Sequence, residues 1–166
     1  MAPFRRRRYF WPPLPGAIRQ QRSPVQDLIL ILDNGSQVTQ LLARRVRELN
    51  VYCEVHPFHK AAQFANDPAV KGVILSGSPF SVYDTNAPDP DLGGLQGRVP
   101  VLGVCYGAQL LAKRSGGEVV KSTVREYGRS ILDNIPVQKP LFEGIHPGTQ
   151  VWMSHGDSII SASGTM

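Results

Sequence analysis

Leu28-Ile29-Leu30-Ile31-Leu32 is an unbroken apolar run. A strand with one face in water alternates apolar and polar residues; an unbroken run needs cover on both faces. That demand points to a parallel sheet between two layers. A chain of 166 residues is long enough to build one such core. The residues that follow supply the other parts. Asp33-Asn34-Gly35-Ser36 reads as a turn with a helix cap. Leu41, Leu42, Val46 and Leu49 recur at helical spacing, with Arg44, Arg45, Arg47 and Glu48 mostly on the other side.

Further strands are expected over 51–57, 72–76 and 99–104, the last running straight into a helix over 106–115 that Gly116-Gly117 stops. Strand and helix alternating through short loops predict an α/β fold: a central, mainly parallel sheet with helices on both faces. After Glu118 the texture changes to shorter strands, 118–125 and 129–132, which read as a small antiparallel hairpin region. No apolar run approaches the roughly 20 residues of a membrane span.

The net charge of +5 is unevenly placed. Residues 1–26 hold six arginines (Arg5 to Arg8, Arg19, Arg22), five prolines and no acid. That leaves 12 of the 18 basic residues facing all 13 acids, so the body is near −1. Residues 1–26 are expected to be a disordered extension, and 27–166 the folded part. Phe4, Tyr9, Phe10 and Trp11 interleave with the arginines, a texture shared by nucleic-acid-binding arms, import signals and non-structural extensions. The folded part shows no basic cluster suited to nucleic acid. Two cysteines make neither a disulfide framework nor a zinc pattern, which suits a reducing cytoplasm.

Chemistry concentrates after the strands. Gly103-Val104-Cys105-Tyr106-Gly107 joins a strand to a helix, the context of a nucleophile elbow. A thiol there meets the first N–H groups and the dipole of the helix, which favour a thiolate. The Tyr106 N–H would face an oxyanion forming on a substrate. The same five residues also suit a structural cysteine packed among glycines. Ser76-Gly77-Ser78-Pro79 offers small residues and a second N–H, or simply a turn. In Trp152-Met153-Ser154-His155-Gly156-Asp157, His155 suits a general base, a substrate contact or a satisfied loop histidine. His56, His59 and His146 draw no role, and Cys53 reads as a small core hydrophobe.

Taken in order, these segments resemble the class I glutamine amidotransferase domain of GMP synthetases. The resemblance is carried by Ile29 to Asp33 with Gly35-Ser36-Gln37 and Thr39-Gln40-Leu41, by Arg44 to Leu49, and by Val51 to Glu54. It continues through Ile74 to Pro79, Ser81-Val82-Tyr83, Val101 to Gln109, Arg125 to Gly128, and Ser154 to Asp157. The resemblance implies that Cys105 attacks the side-chain amide of glutamine. It also implies that main-chain N–H groups of Ser78 and Tyr106 form the oxyanion hole. Gly77, Gln109, Ser154, His155, Gly156 and Asp157 fall on positions that line the glutamine pocket. The ammonia would pass to an ATP- and magnesium-dependent synthetase unit that aminates XMP to GMP, and this domain itself would need no cofactor.

The chain departs from the family's pattern. Asn34 stands where an aromatic or small residue is usual. The family's catalytic His-x-Glu pair does not occur in the 61 residues after Cys105. The expectation is therefore a truncated or partial amidotransferase domain. A non-catalytic module that binds glutamine or a synthetase partner is the main rival, and an unrelated cysteine hydrolase is a second.

Overall fold

Strand β1, Leu28–Asp33, lies inside a four-stranded parallel sheet. The computed structural model describes residues 26–135 and 140–162, so the extension expected over 1–26 falls outside the described residues except for Gln26. The other strands are β2 (Cys53–Pro57), β3 (Val70–Leu75) and β4 (Val101–Gly103), in spatial order β2-β1-β3-β4. Leu30 stands opposite Glu54 on one side and Val73 on the other. Leu28, Leu30, Ile31 and Leu32 are fully buried, as an apolar run with two covered faces requires.

Helix α1, Thr39–Glu48, covers one face. Its Ala43 and Val46 pack on Ile31, Cys53 and Val55. Leu28, Leu30, Leu32, Val73 and Leu75 form the opposite face, beneath Ala61, Leu92, Leu95 and the half-buried Leu111. Leu111 belongs to helix α2, Tyr106–Arg114. Helices thus sit on both faces of a parallel sheet, as expected.

The apolar side of α1 differs from the sequence reading. Leu41 is 58% exposed and Leu49 76%. The inward arc runs through Thr39, Leu42, Ala43 and Val46, which share one side at 100° per residue, whereas Leu41 falls almost opposite Thr39. The helix start also differs. Val38 occupies the cap position and makes no side-chain cap bond. Asp33 secures the turn instead: its Oδ1 accepts from the Gly35 N–H at 2.9 Å, the Ser36 N–H at 3.3 Å and the Thr39 hydroxyl at 2.8 Å.

Beyond Gly116-Gly117 the chain forms one long strand, β5 (Glu118–Ile131), rather than two short ones. Its antiparallel partner is β6, Gln150–Ser161. The break expected between 125 and 129 is absent, and Gly128 sits inside β5 at φ 125°. The break lies earlier. Between Lys121 and Glu126 the strand bulges, while β6 advances only from Asp157 to His155. Among the described residues no helix is long and apolar enough to cross a membrane.

Candidate active site

Strand order fixes where a ligand can sit. From β1 the chain crosses to β2 on one side and returns to β3 on the other, so the turns after β1 and β3 diverge at their carboxyl ends. Such a switch point leaves a crevice at the edge of an open α/β sheet. The turns after β1, β3 and β4 meet there. A Cβ built on Gly77 would lie 3.4 Å from Ser36 Oγ and 3.5 Å from Cys105 Cβ.

Cys105 links β4 to α2 with φ 53° and ψ −114°. That is the corner conformation of a type II′ turn, where glycine is the ordinary residue. A side chain held there stores roughly 1–3 kcal/mol of strain. The surroundings enforce it. The Val104 N–H donates to the Leu75 carbonyl at 3.0 Å, continuing the ladder, and by Gly107 the chain is helical, its N–H donating to Val104 O at 3.1 Å. The reversal must fit within Cys105. Gly107 has no room for a side chain: a Cβ there would stand 2.5 Å from Leu75 O and 2.7 Å from Leu75 Cβ. A Cβ on Gly103 would stand 2.5 Å from the Gly107 carbonyl carbon. Gly107→Ala is accordingly expected to cost on the order of 1–3 kcal/mol or more through overpacking, read as a lower urea midpoint with unchanged slope.

The thiol is exposed, at the first turn of α2. Among the described residues neither the Tyr106 N–H nor the Ser78 N–H donates to a protein acceptor; Tyr106 follows the thiol directly, and Ser78 follows Gly77, whose Cβ position lies 3.5 Å from Cys105 Cβ. Tyr106 is fully buried, and its hydroxyl donates to Pro88 O at 2.5 Å. Burial, then repulsion from Asp89, pushes its pKa up to about 12.

β6 lies along α2 and is tied to it at two levels and to the start of β5 at a third. The Cys105 thiol donates to Ser154 O at 3.7 Å. Buried Gln109 donates through Nε2 to Asp157 O at 2.7 Å. The Glu118 N–H, beyond the far end of α2, donates to Ser161 Oγ at 3.2 Å. Asp157 is buried too, and its Oδ2 accepts from the Ser81 hydroxyl at 2.6 Å. His155 is half-buried and two residues from Asp157, hence on the same face of the strand, with Gly156 between them.

Gly77, Tyr106 and Ser154 therefore meet at the Cys105 thiol, with Ser78 next along the chain from Gly77, while Gln109 and Asp157 hold β6 in place through their mutual bond. Residues 30–165 match the family described as Glutamine amidotransferase class-I. The chain belongs to that family.

Within it, the chain is 63% identical over 132 residues to the glutamine-hydrolyzing GMP synthase of Cytophaga hutchinsonii, covering 80% of this chain and 26% of the relative. It is 57% identical over 136 residues to the glutamine-hydrolyzing GMP synthase of Christiangramia forsetii, covering 82% of this chain and 26% of the relative. It thus spans about a quarter of the length of the curated relatives it matches. Among solved structures, a Thermoplasma acidophilum protein assigned to GMP synthase superposes with a TM-score of 0.61 at 27% identity, over 82% of this chain and 68% of that one. A glutamine amidotransferase of Thermotoga maritima gives 0.60 at 19% identity, over 80% and 62%, a likeness of fold.

The amidotransferase site holds residues to which the sequence reading gave no part. Ser36 borders Gly77, and Ser81 carries the bond to Asp157. Both stand within the segments that carry the family resemblance, so the signal was present without a role attached. Tyr83 and Lys113 brace the same corner: the Tyr83 hydroxyl donates to Val119 O at 2.6 Å, and Lys113 lies 4.4 Å above the Tyr83 ring while donating to Val82 O at 2.6 Å. Cys53 is buried in the core, where loss of solvent pushes its thiol pKa up. Among the described residues no cluster of His, Cys, Asp and Glu is suited to a metal ion.

Proposed function

We propose that this chain carries the glutamine-binding and nucleophilic part of an amidotransferase that supplies ammonia for the conversion of XMP to GMP. The Cys105 sulfur adds to the side-chain carbonyl carbon of glutamine. A C–S bond forms, and the carbonyl electron pair moves to oxygen, where the Ser78 and Tyr106 N–H groups receive it. The C–N bond then breaks, the nitrogen leaves as ammonia after taking a proton, and a glutamyl thioester remains. Water cleaves the thioester to glutamate and restores the thiol. Gly77, Gln109, Ser154, His155, Gly156 and Asp157 shape the glutamine pocket. None of these steps draws on a cofactor within this chain. ATP and magnesium would serve a synthetase unit that receives the ammonia, and a reducing cytoplasm would keep Cys105 free.

The observation that carries the reading is the strained backbone at Cys105. A module that only binds has no use for strain at an exposed cysteine; a nucleophile does, because the strain lifts its sulfur clear of the turn. If the pocket accepts glutamine, millimolar L-glutamine should slow iodoacetamide labelling of Cys105 several-fold, and L-asparagine, one methylene shorter, should not. Equal protection by both, or by neither, would contradict the assignment.

A further inference from the structure

Asn34 and Ser76 stand at the carboxyl ends of β1 and β3, and both are enclosed: Asn34 is 1% exposed and Ser76 0%. The Asn34 N–H donates to Ser76 Oγ at 2.9 Å, and Asn34 Nδ2 donates to the Ser76 carbonyl at 2.9 Å. The Ser76 hydroxyl in turn donates to the Gly77 carbonyl at 2.9 Å. Because Ser76 Oγ accepts from Asn34, its single proton is directed to Gly77 O.

These bonds act on the two peptide planes that flank Gly77. The Asn34 amide holds the plane between Ser76 and Gly77 through the Ser76 oxygen. The Ser76 hydroxyl holds the plane between Gly77 and Ser78 through the Gly77 oxygen. In a trans peptide the C=O and N–H point opposite ways, and no cis bond occurs among the described residues. Holding the Gly77 oxygen toward the buried network therefore turns the Ser78 N–H out of it. Glycine is otherwise the freest joint in a chain, and this one lies beside the nucleophile, its Cβ position 3.5 Å from Cys105 Cβ.

We propose that Asn34 and Ser76 are positioning residues that clamp Gly77 and aim the Ser78 N–H at the oxygen of the substrate carbonyl. The proposal rests on the amidotransferase reading of Cys105. A second observation supports it. Among the described residues Asn34 Oδ1 is buried without a hydrogen-bond partner. An unsatisfied buried acceptor is destabilising, and the amide carries that cost while its Nδ2 holds the Ser76 carbonyl. What the amide supplies against that cost is its donor.

The test is the single-turnover release of p-nitrophenolate from the γ-(p-nitrophenyl) ester of L-glutamate. The Cys105 thiolate adds to the ester carbon, the carbonyl pair moves to oxygen and returns, and the C–O bond breaks. p-Nitrophenolate leaves with the bonding pair and needs no proton, so the rate depends on the oxyanion site and not on an acid. Iodoacetamide is the control, since sulfur displaces iodide without forming an oxyanion. Loss of a whole oxyanion donor costs about 10²–10³-fold in rate; misaiming one should cost about 10- to 100-fold. Ser76→Ala and Asn34→Leu are each expected to slow ester acylation by that factor, with Cys105 alkylation within about twofold of the parent. Asn34→Leu exchanges one unpaired buried acceptor, Asn34 Oδ1, for another, the Ser76 carbonyl, so it should melt within a few degrees of the parent, and its unchanged alkylation separates it from a folding defect. Unchanged acylation in both variants overturns the proposal, as does an equal fall in acylation and alkylation in Asn34→Leu. A parent chain that acylates no faster with the glutamyl ester than with p-nitrophenyl acetate would instead sink the amidotransferase reading, and the proposal with it.

Discussion

Cys105→Gly is expected to make the protein more stable while abolishing its reaction with glutamine-like electrophiles. Cys105 sits at φ 53° and ψ −114°, a conformation that glycine enters freely and a side chain enters at a cost of roughly 1–3 kcal/mol. Relief of that strain is partly offset by the greater freedom glycine gives the unfolded chain, about 0.4–1 kcal/mol. The balance is a gain near 1 kcal/mol, or about 2–4 °C in Tm for a domain of this size. Cys105→Ala keeps the Cβ and hence the strain, so its Tm should match the parent within about a degree. Both variants should lose all rapid labelling by a chloroketone analogue of glutamine. Cys53 should not take over the label. It is 3% exposed, burial raises its thiol pKa, and its thiol is engaged with the Ala43 carbonyl at 3.5 Å. Peptide mass spectrometry after brief labelling and a thermal melt decide the matter. A Cys105→Gly variant less stable than Cys105→Ala, or fast labelling that persists at Cys53, would show that the elbow is not a strained nucleophile.

What the sequence disclosed follows the range of the interactions involved. β1 and the strand-to-helix step at Cys105 are specified by neighbours: an apolar run with no polar gap, and glycines at the positions where a turn of α2 presses on β3 and β4. α1 was only partly legible. Leu41 and Leu49 look like core residues by type, yet Thr39 and Ala43 take the inward positions because Asp33 fixes where the helix begins. The expected split of β5 into 118–125 and 129–132 does not hold, because the antiparallel partner that carries the strand through 126–131 lies more than eighteen residues away in β6. The same limit applies to the site. The bonds that assemble it join residues 76 apart (Ser81 to Asp157), 49 apart (Cys105 to Ser154) and 42 apart (Asn34 to Ser76). No local pattern encodes such pairings. They emerge only when the sheet order brings the three turns together.

The largest effect expected on turnover comes from a part these 166 residues do not contain. On the proposed reading the Cys105 thiol and the Tyr106 and Ser78 N–H groups suffice for acylation by an activated ester. Glutamine itself is harder, because its amide nitrogen departs only when protonated, and the thioester then needs an activated water. The family's His-x-Glu pair would serve both steps, and it does not occur in this sequence. General acid–base help is worth about 10²–10⁴-fold in rate. Where the groups act as a unit with the nucleophile, its loss can cost more. Glutamate release from L-glutamine by residues 1–166 should therefore rise at least a hundredfold, by the same lower bound, when the chain is extended through a His-x-Glu segment of the family. Near-equal turnover by the two forms would mean that a group already present moves the protons. His155 would be first in line, half-buried on the face of β6 that carries Asp157. His155→Ala in the 166-residue form then distinguishes the roles. If His155 is a pocket residue, its loss should raise KM and leave kcat within a few fold. If it is the base, its loss should take kcat down by the full acid–base factor, about 10²–10⁴-fold, and leave KM within a few fold.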